Sequence, residues 1–210
     1  YPNSVSDYDD GSLFYPEQNL DHHREHVKNW LWKNDNSVAK YYQNVMGFDG
    51  WRFDYVQGFE PWVIKEWMAE VGGFAVGENW TGNGSELETW VEETGISAFD
   101  FACFYKMDEA FDRNKDLNYL GRDMLRKTKP EQAVTFVANH DTEKDTNTDN
   151  NISTPNKMKA YAYILTHDGY PTLFYSDYEN SNFQDELKKL ISIHNSLATG
   201  DVEVLFNDTD

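Results

Sequence analysis

The run Phe48-Asp49-Gly50-Trp51-Arg52-Phe53-Asp54-Tyr55-Val56 places ionised groups inside an apolar strand. Trp51, Phe53, Tyr55 and Val56 are bulky, and Gly47 and Gly58 punctuate the ends, as in a short buried strand. Arg52 and Asp54 stand two positions apart and so point to one face. Ionised groups in such a strand are costly unless paired. An arginine beside a carboxylate keeps it ionised, as a nucleophile requires. From this stretch alone, a structural ion pair at a strand end reads equally well.

Two later runs repeat the pattern. Phe74-Ala75-Val76-Gly77-Glu78-Asn79-Trp80 is a short apolar strand delivering a carboxylate, and Val134-Thr135-Phe136-Val137-Ala138-Asn139-His140-Asp141 ends on Asn, His and Asp. Helical sequence separates the three. Three strands, each delivering a carboxylate at or near its C-terminal end, describe an active site at the top of a β/α barrel. The fold class is therefore α/β.

GWRFD, GEN and FVANHD, in that order, resemble three signature segments of the α-amylase family, glycoside hydrolase family 13. Gly169-Tyr170-Pro171-Thr172-Leu173-Phe174-Tyr175 resembles the family's last-strand segment. The segments Gly50 to Trp80 and Tyr161 to Asp177 are most similar to archaeal and plant members. The resemblance implies a TIM (β/α)8 barrel, of which this chain supplies the C-terminal part, strands four to eight. Residues 1–20 are then the end of a small protruding calcium-binding domain. Residues 21–200 are a partial catalytic barrel, and 201–210 the start of a C-terminal β domain. The first three strands are absent, so the chain is expected to be a fragment, inactive on its own.

Composition limits the alternatives. At 39% apolar and 16% aromatic the chain is no disordered tail. Its aromatics suit packing on sugar faces, although rings mostly fill cores. A formal charge of −19 argues against nucleic acid or an anionic membrane as partner. Such acidity also suits a salt-adapted source. Cys103 is alone, so no internal disulfide forms; in its apolar surroundings it reads as a buried, inert thiol. No run reaches transmembrane length, and no signal-peptide pattern is present.

Apolar spacing predicts a helix over 22–46, interrupted at Asn34-Asp35-Asn36 and stopped by Gly47. It predicts helices over 61–71, with Pro61 in the first turn, and over 85–93, with Ser85 as cap. Further helices are expected over 107–126, broken near Asn114, and over 156–167 and 183–197. Strands are expected over 48–55, 74–79, 97–105, 133–139, 170–175 and 202–206. The polar run 142–154 is long for a barrel loop and follows a catalytic strand end, so it borders the cleft. His22, His23 and His26 do not match a helical zinc motif and read as a solvated helix start. His167 and His194 read as surface helix residues.

Glycoside hydrolysis needs two carboxylates flanking the bond. By the resemblance, Asp54 is the nucleophile, Glu78 the general acid/base, and Asp141 the third carboxylate, which stabilises the transition state. Arg52 orients Asp54, and His140 binds the sugar beside Asp141. Asn139 supports the strand end. Gln57 and Gly58 stand where many members carry Lys and His on the leaving-group side, and Gln57 is assigned to substrate with Trp80; core packing is an equal reading of Trp80. For structural calcium the matching positions are Asn19, Asp9 or Asp10, a carbonyl near Ser12, and the Gly58 carbonyl. Asn19 departs from the family's Asp: its amide oxygen can coordinate but carries no charge. The implied activity is retaining, endo-acting hydrolysis of α-1,4-glucosidic bonds in starch or glycogen by an extracellular monomer. The alternatives are another α-glucan enzyme, such as a maltogenic hydrolase or transglycosylase, and a non-catalytic sugar-binding relative.

Overall fold

The computed structural model describes residues 20–143, 151–200 and 202–205. They fall into two compact units. One contains the residues up to Trp80 together with Thr89–Ala98, the other Thr81–Glu88 and the residues from Phe99 onward.

The first unit opens on α1 (Glu25–Lys28), which continues as a π-helical turn over Asn29–Lys33. After the expected break, Ser37 caps α2 (Val38–Asn44) by accepting a hydrogen bond from Lys40 N–H. Strand β1 (Gly50–Phe53) leads to α3 (Pro61–Val71) and β2 (Phe74–Gly77). Helix α4 (Gly84–Thr94), which belongs to this unit from Thr89 on, then leads to β3 (Ser97–Phe99). β1 pairs in parallel with β2, with Arg52 opposite Val76 and Phe53 opposite Gly77, and β2 pairs in parallel with β3. Trp67 on α3 holds this unit together. Its ring lies 6.2 Å from that of Trp32, 5.4 Å from Trp51 and 5.8 Å from Phe53. Between α3 and β2 the chain must pass close to the start of β1. A Cβ on Gly73, whose φ is +88°, would stand 2.3 Å from the Asp49 carbonyl oxygen, so only glycine fits.

In the second unit, β3 gives way to α5 (Phe101–Asp108) and a π-helical turn at Glu109–Arg113. A short 3-10 turn (Leu117–Gly121), α6 (Leu125–Thr128) and β4 (Ala133–Thr135) follow. Then come α7 (Thr154–Thr166), β5 (Tyr170–Pro171), α8 (Tyr175–Glu179) and α9 (Gln184–Leu197). Asp100 N–H donates to the Val134 carbonyl at 2.9 Å, and β4 pairs in parallel with β5. Within the first unit the parallel order is β1-β2-β3, and within the second β4 lies beside β5. This is the parallel α/β arrangement expected for strands four to eight of a barrel. The core here is aromatic: Phe136 stacks on Phe104 at 5.1 Å and meets Phe101 edge-on at 4.9 Å.

Several expectations need correction. Residues 97–105 are not one strand, because the buried Asp100 ends β3 and starts α5. Its carboxylate accepts the N–H groups of Cys103, Leu125 and Arg126 at 2.9, 3.3 and 2.8 Å. Burial pushes this carboxyl's pKa up, against those hydrogen bonds and the charge of Arg126. The cap of α4 is Asn83, not Ser85: its side-chain oxygen accepts from the N–H groups of Ser85 and Glu86. The expected helix over 107–126 is three separate pieces, although the break at Asn114 is there. β5 ends at Pro171, and Tyr175 begins a helix. Residues 202–205 form no strand. His22 is buried, stacked at 6.3 Å on Trp32, rather than solvated. His167 and His194 are half-buried, each with Nδ1 2.9 Å from a backbone carbonyl of α7, Tyr163 and Leu165 respectively. Cys103 is buried as expected, and burial pushes its thiol pKa up. No helix among the described residues is long and apolar enough to cross a membrane.

Candidate active site

The C-terminal ends of β1 and β2 lie side by side, and their ladder continues past both strands. Glu78 N–H donates to the Phe53 carbonyl at 2.9 Å, and Val56 N–H to the Glu78 carbonyl at 3.3 Å. Parallel pairing in this register brings Arg52, Asp54 and Glu78 together. Arg52 Nη1 donates to Asp54 Oδ1, and Nη2 donates to Glu78 Oε1 at 2.8 Å. One planar guanidinium thus serves two carboxylates, a geometry that a lysine point charge cannot reproduce. Glu78 is buried and Asp54 is exposed.

Tyr55 is where the chain leaves the strand. Its φ of +43° is left-handed, which is rare for a residue with a side chain and marks a held conformation. The turn directs Tyr55 N–H at Glu78 Oε2, 3.1 Å away. Sequence reasoning missed this backbone donor, and no residue-type signal announces it, since left-handed turns are ordinarily read from glycine or asparagine.

Gln57 follows in the turn Val56–Gly58. Its Nε2 donates to Asn79 Oδ1 and to the Trp80 carbonyl, each at 3.2 Å. Asn79 is buried and Trp80 half-buried. Beside Arg52 and Asp54 lies a hollow of about 310 Å³, walled by His22, Trp32, Trp51, Phe53, Phe59 and Trp67.

In the second unit, Asn139 builds the turn after β4. Its side-chain oxygen accepts from Asp141 N–H at 2.9 Å and Thr142 N–H at 2.8 Å, while its own N–H donates to Thr142 Oγ1 at 2.9 Å. Asn139 is thus the supporting residue expected at this strand end. The turn exposes His140 and Asp141, with Nε2 of one 3.3 Å from Oδ2 of the other.

Of the calcium candidates, Asn19, Asp9 and Asp10 lie outside the described residues, as do Ser12 and 144–150 of the polar run. Gly58 closes the turn after β1. One backbone carbonyl cannot supply the six to eight oxygens that calcium takes. Among the described residues no three His, Cys, Asp or Glu side chains gather to hold a metal ion.

No sequence model of a protein family matches the chain. It is 32% identical over 179 residues to an α-amylase of Geobacillus stearothermophilus, a match covering 79% of this chain and 31% of that protein. It is 31% identical over 212 residues to probable α-amylase 2 of Arabidopsis thaliana, covering 87% of this chain and 48% of that one. A glucan 1,4-alpha-maltohexaosidase of a Bacillus strain is 29% identical over 179 residues, covering 79% of this chain and 33% of that enzyme. The fold superposes on the crystal structure of an Anoxybacillus α-amylase with a TM-score of 0.68 at 22% identity, over 82% of this chain and 46% of that one. The chain therefore spans a third to a half of the length of these relatives.

Proposed function

The chain belongs to the α-amylase family, and from that premise we propose that it carries catalytic residues of a retaining, endo-acting hydrolase of α-1,4-glucosidic bonds in starch or glycogen. The observation that carries the reading is the fork of Arg52 between Asp54 and Glu78 at the ends of adjacent parallel strands.

In the first half-reaction Asp54 attacks the anomeric carbon. The bond from that carbon to the leaving oxygen breaks, and Glu78 gives that oxygen its proton. In the second, Glu78 takes a proton from water, the water oxygen attacks the same carbon, and Asp54 leaves as carboxylate. Arg52 aims the Asp54 carboxylate for attack in the first step and receives it again as it leaves in the second. Asp141 stabilises the charge that develops on the sugar ring, and His140 hydrogen-bonds a hydroxyl beside it. For calcium we propose Asn19, Asp9 or Asp10 and the Gly58 carbonyl as ligands, to be tested by calcium titration of the protein and of Asn19→Ala. No catalytic step depends on that ion. We further propose that the protein acts outside the cell as a monomer, which fractionation and sedimentation test.

The test of the roles is to trap the glycosyl intermediate in a full-length parent protein with an activated fluorinated glucoside and map the labelled peptide. The adduct is expected on Asp54, absent in Asp54→Asn and retained in Asp141→Asn. An adduct on Glu78 or Asp141 overturns the assignment. The similarity to a maltohexaosidase supports a second reading, release of products of one fixed length. The product ladder from starch separates the two, and transfer products to added maltooligosaccharides would instead identify a transglycosylase.

A further inference from the structure

Three consecutive residues, Glu78, Asn79 and Trp80, are each held by donors from the turn after β1. Tyr55 N–H takes the Glu78 carboxylate at 3.1 Å and Val56 N–H takes the Glu78 carbonyl at 3.3 Å. Gln57 Nε2 takes Asn79 Oδ1 and the Trp80 carbonyl at 3.2 Å each. Gln57 is the only side chain in this set of donors. The Trp80 carbonyl can only accept, so it fixes which end of the Gln57 amide faces it, and Asn79 must then present its oxygen too. Both N–H groups of Gln57 are thereby committed within the protein. What remains for anything else is one acceptor, Oε1.

We propose that Gln57 is a positioning residue for Glu78 rather than a donor to substrate. It ties down the two residues after the general acid, and so holds the Glu78 carboxyl at the strand end where the leaving oxygen must sit. Toward substrate it offers a carbonyl oxygen alone, which accepts from a sugar hydroxyl and cannot donate to one. This inference rests on the reading of Glu78 as general acid.

Gln57→Glu keeps the shape but turns an acceptor on two acceptors, whereas Gln57→Lys still donates to both. The measurements use a full-length parent protein, since this chain alone is expected to be inactive. In carbon NMR, the Glu78 carboxyl resonance, identified by its loss in Glu78→Gln, should shift in Gln57→Glu and keep its position in Gln57→Lys. A Glu78 resonance unmoved in Gln57→Glu, in a spectrum otherwise folded, overturns the proposal. If Gln57→Glu does not fold, Gln57→Ala removes the donors without adding charge and is read the same way. In kinetics, kcat on a maltooligosaccharide should fall about 10- to 100-fold in Gln57→Glu. KM should hold, and an aryl maltoside with an activated leaving group should lose less, since it departs without a proton. A rise in KM at unchanged kcat would make Gln57 a substrate contact and sink the proposal. The control is Glu78→Gln: equal losses on the two substrates would remove Glu78 as the acid, while the NMR comparison would still decide whether Gln57 positions it.

Discussion

Gly77 precedes Glu78 and has no room for a side chain. A Cβ there would stand 2.2 Å from Trp90 Cη2, 3.0 Å from Cζ2 and 3.1 Å from Cζ3. Carbon atoms pack at about 3.5 Å or more, so in Gly77→Ala something must move by about 1.3 Å. Trp90 is 8% exposed, and its rigid ring has little space to retreat. Gly77 is itself pinned in register opposite Phe53. Overpacking of this kind costs about 1–3 kcal/mol. At about 2–4 °C per kcal/mol for a chain of this size, the melting temperature should fall by about 2–12 °C. The assay is thermal unfolding by circular dichroism of wild type, Gly77→Ala, Trp90→Phe and the double variant. Phenylalanine is shorter, so Trp90→Phe opens a small void and lowers stability by itself. In its background the alanine methyl finds space, and Gly77→Ala should cost at least about 1 kcal/mol less than it does alone. If the two changes add to within about 0.5 kcal/mol, the clash is not what excludes alanine, and the reasoning fails.

Replacing Lys157 by Met should destabilise the protein by about 3–5 kcal/mol, because it leaves the buried Asp177 with only Tyr161 Oη, at 2.6 Å, as its described side-chain partner. Adding Asp177→Leu should recover part of that loss in a denaturant titration. Burial, helped by the charge of Arg126, holds the His167 imidazole below its ordinary 6.5. Between its folded pKa and 6.5 the unfolded chain binds more protons, so this contribution is complete above 6.5 and is lost as pH falls below it. Urea midpoints measured across that window should therefore drop toward acid, and His167→Gln should flatten the drop. In a full-length parent, Arg52→Lys should slow trapping on Asp54 about 10- to 100-fold, since a single ammonium nitrogen lacks the two separate planar nitrogens that reach Asp54 and Glu78 from fixed directions; an unchanged trapping rate would refute the role given to the fork.

Residue type and spacing alone determined where most helices and the first two strands lie. Pro61 marks the first residue of α3, and the apolar run before Glu78 is a strand because it is short, bulky and bounded by Gly73 and Glu78, whereas the run before Asn139 is strand only over Ala133–Thr135. They also marked Arg52 and Asp54 as neighbours on one face, since a strand's alternation is a local property. Only the tertiary structure decided the rest. Residues 97–105 are apolar throughout, and such a run has no period to separate strand from helix. The division is made by Asp100, whose carboxylate is held by N–H groups 25 and 26 positions away. His22 is buried because Trp32 and Phe59 pack on it, not because of its neighbours in sequence. The left-handed turn at Tyr55 and the tie from Gln57 to Trp80 likewise span 23 positions each, from Tyr55 to Glu78 and from Gln57 to Trp80. Local sequence sets dihedral preferences and periodicity, whereas a hydrogen bond across two strands exists only once their register is fixed, and that register is a property of the packed sheet.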